Sequence, residues 1–146
     1  MNLRPLPLFA ALALLAVLAT VTGCGSDGST NDDGGGLQGD GGGETPICGC
    51  TKATAEDLTA QTAVTVNFGG TLGSSYAPKC ILVAGGTSVS FEGSFSTHPL
   101  SATSGTGNPI GHTASGTTAS FTFTEAGAFG YTCDVHAGMC GAVYVE

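Results

Sequence analysis

The chain has 146 residues, with three basic and 11 acidic side chains, six cysteines, no tryptophan and a formal net charge of −8. So few cations exclude nucleic acid as a partner, because phosphate binding needs a basic face. The length allows one domain of ordinary size plus accessory segments, and the acidic balance would steer the chain toward a basic protein surface.

Residues 1–23 read as an export signal: Arg4 gives a thin positive start, Leu8 to Val21 an apolar stretch, and small residues close it. The end, Val21-Thr22-Gly23-Cys24, resembles a bacterial lipobox. That resemblance implies lipidation of Cys24, which then becomes the mature N-terminus. It places the protein in the bacterial envelope, on a periplasmic or outer-membrane face, touching the membrane through the Cys24 lipid only. Removing Arg4 leaves Lys52 and Lys79 as the only basic residues against all 11 acids. Residues 24–50 follow as a tether. The stretch 25–47 holds nine glycines and four aspartates, which give a coil almost nothing to bury.

Residues 51–146 are the expected folded domain. Thr54 to Leu58 can form one short helical turn. Beyond it, Val64, Val66 and Phe68 alternate with polar residues, as do Val89 and Phe91, Phe121 and Phe123, Phe129 and Tyr131, and Val143 and Val145. Gly69-Gly70, Gly85-Gly86, Gly105 to Asn108 and Ala126-Gly127 separate these runs as turns. Period-two alternation in short runs predicts an all-β, antiparallel sandwich or barrel.

The chemistry gathers near the C-terminus. Phe129, Tyr131 and Cys133 share one strand parity, so Cys133 is expected to point inward where the chain turns. His136 and Met139 follow at three-residue steps, and a last strand from Ala142 to Val145 closes the domain. Such a loop offers a thiolate, an imidazole and a thioether to one ion. His98, before Pro99 and after the Phe91–Phe95 region, is the candidate for a second imidazole. Two imidazoles and a thiolate in a trigonal arrangement, with a weak axial thioether, are the donor set of a type I (blue) copper site. The predicted ligands are therefore His98, Cys133, His136 and Met139, for one copper ion. His112, in Gly- and Thr-rich surroundings, reads as an exposed loop residue.

These residues resemble the cupredoxin family, most closely its plastocyanin, pseudoazurin and amicyanin branch. Tyr76-x-Pro78, then Val83-x-x-Gly86-x-x-Val89-x-Phe91, is similar to the second and third strands of the family. Gly127-x-Phe129-x-Tyr131-x-Cys133-x-x-His136-x-x-Met139-x-Gly141-x-Val143 resembles its terminal block. The resemblance covers roughly residues 62–146. It implies a Greek-key β-sandwich of about eight strands and a copper ion cycling between Cu(I) and Cu(II) without catalysis. Electrons would pass through the exposed edge of His136, ringed by Pro99, Leu100, Ala137 and Gly138. The implied partner is a redox protein, such as a cytochrome or oxidoreductase, with a basic docking surface. The alternative is a protein for copper delivery or resistance with no dedicated redox partner. One departure concerns the sulfur. Pro99 stands where the family usually has Asn, and it lacks the N–H that donates to the thiolate. Val135 is the expected replacement donor.

Setting aside Cys24 and Cys133 leaves Cys48, Cys50, Cys80 and Cys140, which admit three disulfide pairings in an oxidising compartment. The family's placement of its last strand beside its second favours Cys80–Cys140. Cys48 and Cys50 would then pair with each other or stay a reactive pair, with Cu(I) binding as a further use. Either other pairing would staple the end of the tether to the domain.

Overall fold

A computed structural model describes residues 44–146; the export signal, Cys24 and the tether as far as residue 43 lie outside the described residues. A 3₁₀ turn, Lys52–Thr54, is followed by nine strands. They are β1 (Glu56–Asp57), β2 (Ala63–Phe68), β3 (Tyr76–Ala77), β4 (Cys80–Val83), β5 (Thr87–Glu92), β6 (Leu100–Ser104), β7 (Thr118–Phe123), β8 (Gly127–Cys133) and β9 (Cys140–Val145). A second 3₁₀ turn, Gly70–Leu72, lies between β2 and β3. The expected helical turn thus forms earlier, at Lys52–Thr54, closed by a reciprocal cap between Thr51 and Thr54. Part of the segment assigned to it is the short strand β1 instead.

The strands make two sheets, ordered β1-β4-β9-β8-β6 and β3-β2-β5-β7. This is the expected all-β sandwich, with nine strands where about eight were expected; two of the nine, β1 and β3, are two-residue pieces. The alternation decides which side chains enter it. Val64, Val66 and Phe68 of β2 are buried while Ala63, Thr65 and Asn67 are exposed. Val89 and Phe91 of β5 and Phe129, Tyr131 and Cys133 of β8 meet them from the other strands to form one core.

The sheets are mixed, not antiparallel as the alternation suggested. β1 with β4, β4 with β9, and β2 with β5 run parallel. The chain passes from one sheet to the other between β4 and β5, so spatial neighbours are not sequence neighbours. Alternation reports the buried face of a strand and is silent on the direction of its neighbour.

β9 is buried on both faces, at five of its six positions. Its inner residues face the core, while Ala142 and Tyr144 on the outer face are covered by Cys50, with Ile47, Ala55, Cys80, Leu82 and Ala128 packed around them. Residues 47–50 therefore belong to the folded domain and not to the tether. Ile47 and Cys50 exchange backbone hydrogen bonds of 3.0 and 2.8 Å, and Tyr144 Oη donates to the Cys50 carbonyl at 2.7 Å.

The disulfides are Cys48–Cys140 and Cys50–Cys80. The favoured Cys80–Cys140 pairing is overturned by register, since Cys80 stands opposite Ala142 and two residues separate it from Cys140's level. Adjacent-strand spacing combined with a two-residue rise places such Cα atoms roughly 8 Å apart, beyond disulfide reach. The Cys48-Gly49-Cys50 turn lies over this face and takes both partners. No helix among the described residues is long and apolar enough to cross a membrane.

Candidate metal centre

Cys133 ends β8 with its side chain turned into the sandwich, 4% exposed, as its parity with Phe129 and Tyr131 requires. The following loop returns to start β9 and is drawn tight by its own backbone. Cys133 N–H donates to the Met139 carbonyl at 2.8 Å, and Met139 N–H to the His136 carbonyl at 3.1 Å. Asp134 N–H donates to the Pro99 carbonyl at 3.0 Å, which joins the loop to the segment carrying His98. His98 sits at the end of a turn, where its N–H donates to the Ser94 carbonyl at 3.0 Å.

These two segments bring His98, Cys133 and His136 together. The Nδ1 atoms of His98 and His136 lie 3.1 Å apart. Cys133 Sγ lies 3.9 Å from His98 Nδ1 and 3.4 Å from His136 Nδ1. A triangle with these sides has its centre about 2.0 Å from each corner, within the range of first-row metal bonds to imidazole nitrogen and close to those for thiolate sulfur. A soft thiolate with two imidazoles in one plane fits a type I copper ion. His98 is 7% exposed. Burial, and then the neighbouring His136, pull its pKa below the ordinary histidine range and favour the neutral ring that binds metals.

Met139 is 1% exposed and packs in the same core as Cys133. Its carbonyl accepts a second hydrogen bond, from Thr132 Oγ1 at 3.1 Å. The chain thus turns its side chain inward, into the core that also holds Cys133. His136 is half-buried and its loop neighbours Ala137 and Gly138 are exposed, whereas His98 is enclosed. The Phe68 ring meets His98 edge-on at 6.0 Å. A Cβ on Gly69 would stand 3.2 Å from His98 Cδ2. In the sequence Gly69 reads only as a turn residue; its place against the imidazole has no signal beyond a glycine pair after β2.

Three expectations around the site change. Leu100 is fully buried and cannot belong to a surface around His136, while Val135 is 63% exposed and takes that place. Val135 does not donate to the sulfur: among the described residues, the hydrogen-bond partners of Cys133 Sγ are the two imidazoles. His112 is exposed as expected and lies outside the metal cluster, with Nε2 3.2 Å from Asp134 Oδ2.

No family model and no curated protein matches the chain. Among solved structures it is similar to a copper-containing nitrite reductase from Thermus scotoductus, 27% identical with a TM-score of 0.46. That match covers 57% of this chain and 22% of the reductase, so this chain spans about a fifth of its length. It is also similar to amicyanin from Paracoccus versutus, 24% identical over 57% of this chain and 81% of that one, with a TM-score of 0.44. A third is pseudoazurin from Methylobacterium extorquens, 21% identical over 57% and 75%, with a TM-score of 0.45.

Proposed function

We propose that this chain is a type I copper protein that carries single electrons at the cell envelope. His98 and His136 bind through Nδ1, Cys133 through Sγ, and Met139 as the axial ligand. The observation that carries the reading is the triangle of two imidazole nitrogens and one thiol sulfur, equidistant from a point at metal-bond length. A copper ion held there supplies a one-electron couple between Cu(I) and Cu(II).

The protein's own part is to hold the ligands still and dry. Cys133 is set by β8 and Met139 by the hydrogen-bonded loop that leads into β9, and His98 is wedged by Phe68 and Gly69. With three converging ligands and Met139 proposed as the fourth, the set leaves no position open for a substrate, which favours a carrier over an enzyme. The half-buried His136 is the ligand nearest to solvent and the natural point of electron entry and exit. Val135, Ala137 and Gly138 offer an exposed, weakly polar rim for docking. The described residues carry Lys52 and Lys79 against seven acids, which suits a redox partner with a basic surface. The export signal and lipobox-like Cys24 support an envelope location with a lipid anchor.

Titration of the purified domain with Cu(II) tests this reading. An intense visible thiolate-to-copper band at one equivalent is expected, and it is lost in Cys133→Ser. A folded chain without the band, or a band that survives the serine, overturns the assignment. Electron self-exchange separates the carrier from a delivery protein: slow exchange with ready copper release would favour delivery.

A further inference from the structure

Met139 enters the core, but the residue after it faces the other way. Strand alternation turns Cys140 to the outer face, where it is bonded to Cys48, with Cα atoms 5.9 Å apart. Cys140 is the first residue of β9 and pairs with Thr132. Where a ladder opens into a loop, its last rung is ordinarily the first to fray. Here that rung is covalently held.

We propose that the Cys48–Cys140 disulfide is a positioning element of the metal centre, fixing from outside the sandwich the loop segment that presents Met139. The inference rests on the copper reading above. The bond does not end on a loose segment. Cys48 lies in a turn closed by the paired backbone bonds of Ile47 and Cys50, and Cys50 is bonded to Cys80 on β4. β4 in turn pairs with β9, Cys80 standing opposite Ala142. The Cys48-Gly49-Cys50 turn is thus a strap from the neighbouring strand to the hinge of the ligand loop, crossing above the strand that it clamps.

The backbone of the turn supports the same conclusion. Cys48 has φ 56° and Gly49 φ 78°. A left-handed conformation is unfavourable for a residue that carries a side chain, and surroundings that over-determine such residues are typical of functional sites. Both residues of this turn are held between the two disulfide bonds. A reason for the strap follows from the ligand type. The axial thioether is the weakest bond of a type I set, so the position of Met139 depends on the chain more than on the ion. The strap acts one residue from it.

The test is the Cys48→Ala/Cys140→Ala double variant of the full chain, which keeps the Cys50–Cys80 bond; the serine pair serves if the alanine pair does not fold. The expected result is a folded protein whose visible thiolate-to-copper band is displaced. It should also lose copper to a chelator about tenfold faster, the usual scale for removing support of a metal ligand. The same measurements in a Met139→Leu background separate positioning from general loosening. If the strap acts through Met139, removing it there changes the spectrum far less than in the parent, a non-additive cycle. An unchanged band and release rate, or full additivity with Met139→Leu, overturns the proposal. Absence of the band in the unmodified chain overturns the copper reading, and this proposal with it.

Discussion

Replacing Gly69 by alanine perturbs the centre by two routes that can be measured apart. Its backbone, at φ 72° and ψ −164°, lies in a region that only glycine enters freely, and forcing another residue there costs on the order of 1–3 kcal/mol. The added methyl would also stand 3.2 Å from His98 Cδ2 and 3.3 Å from Nε2, closer than ordinary van der Waals contact. Phe68 confines the ring on one side, so the imidazole is pushed against the other ligands, the nearest being His136 Nδ1 at 3.1 Å. A loss of 1 kcal/mol lowers the melting temperature of a domain this size by roughly 4–8 °C. Thermal unfolding of the metal-free variant should therefore show a fall of about 10 °C. Cu(II) titration should show a displaced thiolate band and affinity weakened by about tenfold. Gly107→Ala is the control: it has the same φ of 72° but open space around it, so it should lose stability and leave the copper spectrum alone. A Gly69→Ala protein with unchanged melting and an unchanged spectrum would refute the reasoning on both counts.

Two tyrosines that touch in the core, ring centroids 4.9 Å apart, should respond oppositely to loss of the hydroxyl. Tyr131 Oη donates to the Lys79 carbonyl at 2.9 Å, so Tyr131→Phe should cost about 1 kcal/mol in urea unfolding. Tyr76 Oη is buried without a partner among the described residues, so Tyr76→Phe should be neutral or stabilising by about 1 kcal/mol, and a clear loss would reveal a partner for it. Lys52 and Glu146 pair at 2.8 Å with about half of each side chain in solvent. Lys52→Ala should therefore change stability by less than about 1 kcal/mol, and less still in high salt; a larger loss would mean that the pair organises the domain terminus.

Much of this arrangement was legible because one short segment carries it. Phe129, Tyr131 and Cys133 share a parity, and a strand can obey that parity only by turning the thiol inward. His136 and Met139 then have a single loop in which to return to β9, which brings them near the thiol whatever the rest of the chain does. His98 was less secure, because its approach depends on how β5 and β6 are placed in different sheets, and no local pattern reports that. The error over sheet direction has the same origin. Period-two patterning in β2 and β5 is identical whether the two strands run parallel or antiparallel.

The disulfides show where local reasoning stops. Cys80 and Cys140 lie on neighbouring strands and the same outer face, as expected, yet a shift of two residues in a parallel register keeps them from bonding. That shift left two cysteines on an open sheet face, and the segment free to meet them was the one whose composition, after a long run of glycine, resembled more tether. Ile47 is the residue that marked the change. It is the first large apolar side chain after Leu37, and it packs over β9 with Ala142 and Tyr144. An all-apolar β9, buried on both faces, requires such a cover. The sequence of the last strand, Ala-Val-Tyr-Val without a polar residue to face water, was already a demand for the turn that came to hold the ligand loop.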